Sequence, residues 1–369
     1  MIIKSIELAD YRNYDSLEMQ FDRGTNILYG DNAQGKTNIL EAIYVAATTK
    51  SHKGSKDKEI VNFEKDEAHI RTYIEKEGVE SRVDMHLRKS KSKGIAIDGQ
   101  KIKKAAELLG LCNVVFFSPE DLGIIKNGPS ERRRFVDMEL CQLDNFYLYN
   151  LNNYNKIVNQ RNKLLKDMYM NPDLKETLNI WDMQLVSYGS KIIERRRLFV
   201  EQLNEIIYDI HKKLSGDREE LTIHYEPDVE IEEFERKLKV SQDRDMKAKM
   251  TSVGPHRDDF SFMIGNVDIR KFGSQGQQRT AALSLKLSEI ELVKKITKDT
   301  PILLLDDVLS ELDSNRQNYL LNSIGDIQTI ITCTGLEEFV NNRFEINKVY
   351  HVSNGKVTCM SNEQKQDID

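Results

Sequence analysis

Gly30-Asp31-Asn32-Ala33-Gln34-Gly35-Lys36-Thr37 fits the pattern G-x-x-x-x-G-K-[ST], and its flanks supply the context that gives the pattern meaning. The apolar run Asn26-Ile27-Leu28-Tyr29 in front of it reads as a short strand, and Thr37 to Ala47 behind it carries helical apolar spacing. Glycines at a strand-to-helix turn let backbone N–H groups converge on phosphate oxygens, and the helix N-terminus adds partial positive charge. In such a loop Lys36 is expected to reach the β- and γ-phosphates of ATP, and Thr37 to place its hydroxyl on Mg2+.

A second stretch completes the first. Ile302-Leu303-Leu304-Leu305-Asp306-Asp307 reads as a fully buried strand that delivers carboxylates to the carboxyl edge of an open α/β sheet, where ligands of such sheets bind. Asp306 is the expected Mg2+ partner, and Asp307 stands where a carboxylate polarises an attacking water. A third stretch, Ser274-Gln275-Gly276-Gln277-Gln278, supplies an N-cap to a helix expected over Gln275 to Lys298.

Around these motifs the chain alternates in character. Ile6 and Leu8, then Leu17, Met19 and Phe21, recur with the period of half-buried strands, and Ala68 to Leu87 holds two more such runs. Ile95 to Ile102 reads as a hairpin around Asp98-Gly99, a pair that tolerates positive φ. From Ser130 to about Met168 a helix with a narrow stripe is expected, with apolar residues at Tyr147, Leu151, Tyr154, Val158, Leu165 and Met168. After a breaker at Asn171-Pro172-Asp173 the rhythm returns from Leu174 to Ile210, interrupted by Arg195-Arg196-Arg197. Two antiparallel helices, or the buried faces of ordinary core helices, both satisfy this pattern. Leu221-Ile223-Tyr225 then reads as a strand, a charged stretch to about Met250 as a helix, Phe260 to Ile269 as a hairpin, and Ile327 to Thr332 as another buried strand. The chain ends in a polar tail after Met360.

With 369 residues, 39% hydrophobic and 31% charged, the chain is long enough for one large or two interlocked domains and is not disordered in composition. A formal net charge of −6 excludes a protein that coats nucleic acid through a global basic excess, so any DNA site is local. Cys112, Cys141, Cys333 and Cys359 stand far apart without a paired spacing, which argues against a disulfide framework or a zinc site. No signal pattern follows Met1 and no run is long enough to span a bilayer, so the expected location is the cytosol, without a membrane partner.

Ser274, Gly276 and Gln277 match the signature motif of ABC-type ATPases, and Ser310-Glu311-Leu312-Asp313 resembles their D-loop. The resemblance to the RecF family, whose heads are similar to those of SMC proteins, runs over nearly the whole chain. Tyr11-Arg12-Asn13, Ser118-Pro119-Glu120-Asp121-Leu122, Gly128-Pro129 with Arg132-Arg133-Arg134, and Gly254-Pro255-His256-Arg257-Asp258-Asp259 carry it, together with the stretches above. It implies an α/β fold: an ABC-type P-loop ATPase head at 1–128 and 250–369, with an inserted α-helical arm domain at 129–249. It implies that Arg12 and Asn32 lie near the nucleotide phosphates, and that Ser274, Gly276 and Gln277 complete the γ-phosphate site of a second copy. An ATP-dependent homodimer follows, as does a role in recombinational repair, replication and the SOS response. The implied partners are gapped DNA, RecO and RecR, with loading of the RecA recombinase as the outcome.

Two departures from the usual pattern bear on catalysis. Ile331-Thr332-Cys333-Thr334 stands where a switch histidine is usual, and no Q-loop glutamine is found near Phe117-Ser118-Pro119-Glu120. A slow, DNA-stimulated ATPase that uses ATP to time a closed state is the natural expectation. An ATP-binding adaptor and a transporter-type subunit are the competing readings, and the second requires a membrane partner. Lys89, Lys91, Lys93, Lys101, Lys103 and Lys104, with Arg88, form a basic strip that either tracks DNA phosphates or is a solvated loop. Arg132 to Arg134 and Arg195 to Arg197 are further candidates, although Arg stems also pack on helices. His256, beside Asp258 and Asp259, reads as part of a hydrogen-bonded turn rather than a metal site.

Overall fold

The computed structural model describes residues 1–168, 172–336 and 346–360. Asn171 of the expected breaker and the polar tail after Met360 lie outside the described residues. The chain forms two compact units, Met1–Asp121 with Val293–Asp369, and Leu122–Leu292. These bounds follow packing, whereas the bounds at 128/129 and 249/250 follow motifs; residues 250–292 group with the helices. Among the described residues, no helix is long and apolar enough to cross a membrane.

The first unit holds two sheets. One is antiparallel, in the order Tyr14–Gln20, Ile2–Tyr11, Glu67–Lys76, Val79–Arg88, Gly94–Ile97, Gln100–Lys101. Its first pair sets Ile6 against Met19 and Leu8 against Leu17, so the expected alternation buries one face and wets the other. Asp98 and Gly99 make the last hairpin turn with φ of 50° and 79°, the double positive φ that an Asp-Gly pair admits.

The other sheet is parallel except at one edge, in the order Lys356–Cys359, Lys348–Ser353, Thr25–Tyr29, Thr329–Cys333, Ile302–Asp306, Val114–Phe117. Its strands Thr329–Cys333, Ile302–Asp306 and Val114–Phe117 are buried on both faces and hence lack an alternation of apolar and polar residues. The helix Lys36–Thr48 packs with it and is buried from Ile39 to Thr48.

The second unit is mainly helical. The single helix expected from Ser130 to Met168 is two, Pro129–Leu143 and Asn145–Asp167. Asp144 between them takes extended angles and its carboxylate accepts from the N–H groups of Phe146 and Tyr147, an N-cap that starts the second helix afresh. A 37-residue helix, Leu178–Leu214, follows; at 1.5 Å per residue it is about 55 Å long. Tyr147 pairs with Arg196 near one end and Arg161 with Asp182 further along, so residue numbers rise on one helix as they fall on the other. Of the two arrangements compatible with the stripe, the antiparallel pair is observed.

Arg196 is not an interruption of the apolar stripe in space. It is buried, with its guanidinium on Asp137, Asp258, the Tyr147 hydroxyl and the Pro255 carbonyl. Arg132 is likewise buried and grips both oxygens of Asp259. Neither is available to DNA, and both correct the idea that these clusters are wholly basic surface. Removing one partner of a buried pair leaves the other charge uncompensated, at a cost of about 3–5 kcal/mol. Arg196→Leu is therefore expected to lower the unfolding free energy by that order, read as a lower urea midpoint of the helical signal in circular dichroism. An unchanged midpoint would mean that the network contributes no net stability.

His256 sits in the same region with both ring nitrogens engaged, by the Tyr154 hydroxyl at 2.7 Å and the Thr251 carbonyl at 3.1 Å. Burial pushes its imidazole down to about 4, so it is neutral, and the turn reading stands.

Candidate nucleotide site

The parallel register brings three strand ends to one edge. Asp306 lies level with Thr332, and Thr332 level with Leu28, so the loop after Tyr29 starts beside the acidic strand end. Gly30 and Gly35 have φ of 147° and 112°, and Ala33 has 65°, the left-handed turns that fold a loop around an anion. A Cβ on Gly30 would stand 2.3 Å from the Val352 carbonyl oxygen, and one on Gly35 would stand 2.6 Å from the Asn13 side chain. The helix from Lys36 begins without a side-chain cap, which leaves its N-terminus to a ligand.

Lys36 is buried, and its ammonium donates to the carbonyl of Gly30 and, at 2.8 Å, to that of Asp31. Burial holds its pKa below the usual lysine range, although Cys333, Asp307, Asp306 and Asp31 pull the other way. A cation folded onto its own loop carbonyls has weak partners that a phosphate readily replaces.

Asp306 Oδ1 accepts hydrogen bonds from the hydroxyls of Thr37 and Thr332, each at 2.8 Å. Burial raises the Asp306 pKa; the two hydroxyls and Lys53 oppose this, and Glu120 adds to it. The carboxylate is thus short of positive charge. Neighbouring oxygens around an octahedral Mg2+ stand about 2.9 Å apart for bonds of about 2.05 Å. Thr37 Oγ1 and Asp306 Oδ1 fit that spacing and chemistry.

Asp307 follows with φ of 52°, a conformation that Asp tolerates better than most residues. Its N–H donates to the Thr332 carbonyl and hydroxyl at 3.3 and 3.0 Å, and its carbonyl accepts from Ser310 at 2.8 Å. The half-buried carboxylate is therefore carried on a backbone pinned from both sides. Thr332, one of the four residues that stand where a switch histidine is usual, ties Asp306 to Asp307. A hydroxyl at the end of a buried strand is its signal.

Two turns brace the phosphate loop. Asn13 donates to the Gln34 carbonyl at 3.2 Å and accepts from Asn38 at 2.7 Å, while the Asn354 N–H donates to the Gln34 side chain at 2.6 Å. Arg12 does not point its charge at the loop. Its guanidinium clamps both oxygens of Glu41 at 2.8 Å and donates to Ser55 and the Glu59 carbonyl. Burial alone would raise Glu41, but Arg12 and Ser51 outweigh it and hold the carboxyl below its usual range. Asp31 and Asn32 are exposed.

Ser274 and Gln277 lie in the other unit. The Ser274 hydroxyl accepts from the Gln277 N–H at 3.2 Å, and the Gln277 side-chain oxygen accepts from the Ser274 N–H at 2.8 Å, a reciprocal cap on the helix Gln275–Thr297. Glu219 holds the Gln277 amide at 2.8 Å, a contact that nothing in the spacing announced. Ser274, Gln275 and Gly276 are exposed, and a Cβ on Gly276 would meet only the Ser274 hydroxyl at 3.9 Å. The chain's own packing does not require that glycine.

Of the basic strip, Lys91, Lys101, Lys103 and Lys104 are exposed. Lys93 instead binds Asp57 at 2.7 Å and the Thr49 carbonyl, and Lys89 binds the Phe63 carbonyl at 2.9 Å.

The model of the RecF/RecN/SMC N terminal domain family matches residues 2–358. The chain is 64% identical over 359 residues to a DNA replication and repair protein RecF of Lachnospira eligens, and 65% identical over 357 residues to one of Agathobacter rectalis. Each alignment covers 97% of this chain and 99% of the relative. A solved structure described as the recombination mediator protein RecF with ATP in the RecFOR pathway superposes with a TM-score of 0.91 at 36% identity, covering 97% of both chains. An Smc head bound to the C-winged helix domain of ScpA matches at a TM-score of 0.57 and 17% identity, covering 100% of both chains, a likeness of fold alone. At the identity and coverage of the two bacterial relatives, the chain belongs to the RecF family of DNA replication and repair proteins.

Proposed function

We propose that this chain is a slow ATPase that closes as a homodimer around DNA when ATP binds, and that it acts in recombinational repair and replication. The observation that carries the reading is the division of the site. Lys36, Thr37, Asp306 and Asp307 converge on one edge, whereas Ser274 and Gly276 stand exposed at a helix start that needs nothing more from its own chain. Gly30 to Thr37 cradle the phosphates, Thr37 and Asp306 hold Mg2+, Asp307 orients water, and Ser274, Gly276 and Gln277 of a second copy cover the γ-phosphate. The metal, when bound, neutralises phosphate charge. Arg12 joins the phosphates only on leaving Glu41.

Binding shared between two copies favours the closed state by its differential affinity, without fast turnover. The absence of a histidine at Thr332-Cys333-Thr334 supports slow turnover. The RecFOR pathway of the solved relative supports a place beside RecO and RecR; gapped DNA as target, RecA loading, the SOS response and the cytoplasm as location extend that reading from the family resemblance of the sequence.

DNA contact is assigned to the exposed lysines. Each lysine that ceases to neutralise a phosphate of duplex DNA lowers the slope of log affinity against log salt by roughly 0.9. Replacing Lys91, Lys103 and Lys104 with Glu is expected to weaken ATP-dependent DNA binding on every sequence and to make the salt slope shallower. Lys93 is left intact, because Glu there would face Asp57 and disturb the fold. Wild-type affinity and slope in the triple variant would remove the strip from the DNA surface, and equal DNA affinity with and without ATP would remove the gating.

A further inference from the structure

The antiparallel sheet carries a cluster that the nucleotide reading leaves unused. Glu67 and His69 are two residues apart on one strand and so share a face. His86 lies directly opposite His69 on the next strand, and the two rings stack with centroids 4.1 Å apart. Beyond the two imidazoles the same row continues to Ala9 on one side and Gly94 on the other. These small residues leave open a cavity of about 710 Å³ that both histidines line.

The ligating atoms of Glu67, His69 and His86 all lie within 4.8 Å of one another. We propose that these three residues bind a divalent transition-metal ion of the zinc class, at a site separate from the Mg2+ site of the P-loop. Two imidazoles and one carboxylate, with a water in the open position, form a donor set suited to Zn2+, Co2+ or Ni2+ and poorly suited to Mg2+.

The hydrogen bonds present define how the ion enters. Arg88 contacts His86 Nδ1 at 2.7 Å, and a guanidinium only donates, so that nitrogen accepts and Nε2 carries the proton. That proton faces Glu67 at 2.5 Å. A metal on Nε2 takes the proton's place, and the proton moves to Nδ1, so the ring keeps one proton throughout. Tetrahedral ligands on bonds of about 2.05 Å stand about 3.3 Å apart, so the Glu67 oxygen moves slightly away while His69 closes in. Arg88 must then withdraw, because two donors would face each other. It is the residue in this cluster that opposes the ion.

Cobalt titration of the full chain in millimolar magnesium without nucleotide, so that no chelator competes for the cobalt, tests this. Tetrahedral d–d bands without thiolate charge transfer are expected, with zinc displacing the cobalt. His69→Gln, an exposed change whose fold is checked by circular dichroism, is expected to weaken binding by at least about 10- to 100-fold. Arg88→Gln, whose amide oxygen can accept from Nδ1–H, is expected to tighten it by up to about tenfold. Equal binding by wild type and His69→Gln, no cobalt bands in the wild type, or no gain in Arg88→Gln would each overturn the coordination proposed.

Discussion

With Ser274 replaced by arginine, the chain is expected to bind ATP as before and to remain a single copy. A long cation at an exposed helix start, where the γ-phosphate of a second copy's nucleotide must approach, fills the space that closure requires. The P-loop of the same chain is untouched, so affinity for nucleotide persists. Ser274 also caps its own helix, and losing a cap costs about 1 kcal/mol, which alone could loosen the surface. Gly276→Arg separates the two effects. Its Cβ enters open space, the cap survives, and arginine suits a helix better than glycine does. Both variants are expected to stay monomeric in light scattering at ATP concentrations that pair the wild type. Dimerisation of Gly276→Arg at wild-type ATP levels would show that the signature is not the interface.

Asp307→Asn is expected to slow ATP hydrolysis by about a hundredfold to ten-thousandfold, the range for loss of a positioned acid or base, with ATP binding retained. Asparagine has the same shape and tolerates the left-handed φ of 52° at this position, so the change removes charge and little else. The variant should linger as an ATP-bound dimer on DNA. Lys36→Met contrasts with it, since it removes a charge that binds phosphate and should lose nucleotide affinity itself. Single-turnover hydrolysis with labelled ATP distinguishes the two. Unchanged turnover in Asp307→Asn would move the water-orienting role elsewhere, with Glu120, close enough to raise Asp306, the first place to look.

Much of the first unit was legible because its signals are local. Gly30 to Thr37 reads as a phosphate loop from a few neighbouring residues, Asp98-Gly99 names its own turn, and Ile6, Leu8, Leu17 and Met19 alternate because one face of their sheet is wet. Val114–Phe117 is hard to read since four apolar residues buried on both faces carry no period, and Lys348–Ser353 since it mixes apolar and polar residues near a sheet edge. Asp144 is a readable N-cap inside an expected helix, hidden by the stripe that continues past it.

What the chain alone withheld is pairing across distance. Arg196 looks like a surface charge until Asp137 and Asp258 arrive beside it, and Lys93 looks like a DNA contact until Asp57 does. Arg12 clamps Glu41, and Gln277 is held by Glu219, contacts that no spacing rule anticipates. Residue types announced the chemistry of the site, but which charges remain free to do it was decided by tertiary contacts.

The central claim, that ATP joins two copies into one working site on DNA, is tested most directly by the mass of the chain in solution. Light scattering is expected to give the 42.8 kDa of a single copy without nucleotide. With saturating ATP and Mg2+ it is expected to give twice that mass, with duplex DNA lowering the ATP concentration at which the change occurs. A mass of one copy at saturating ATP, with and without DNA and with nucleotide demonstrably bound, would contradict it.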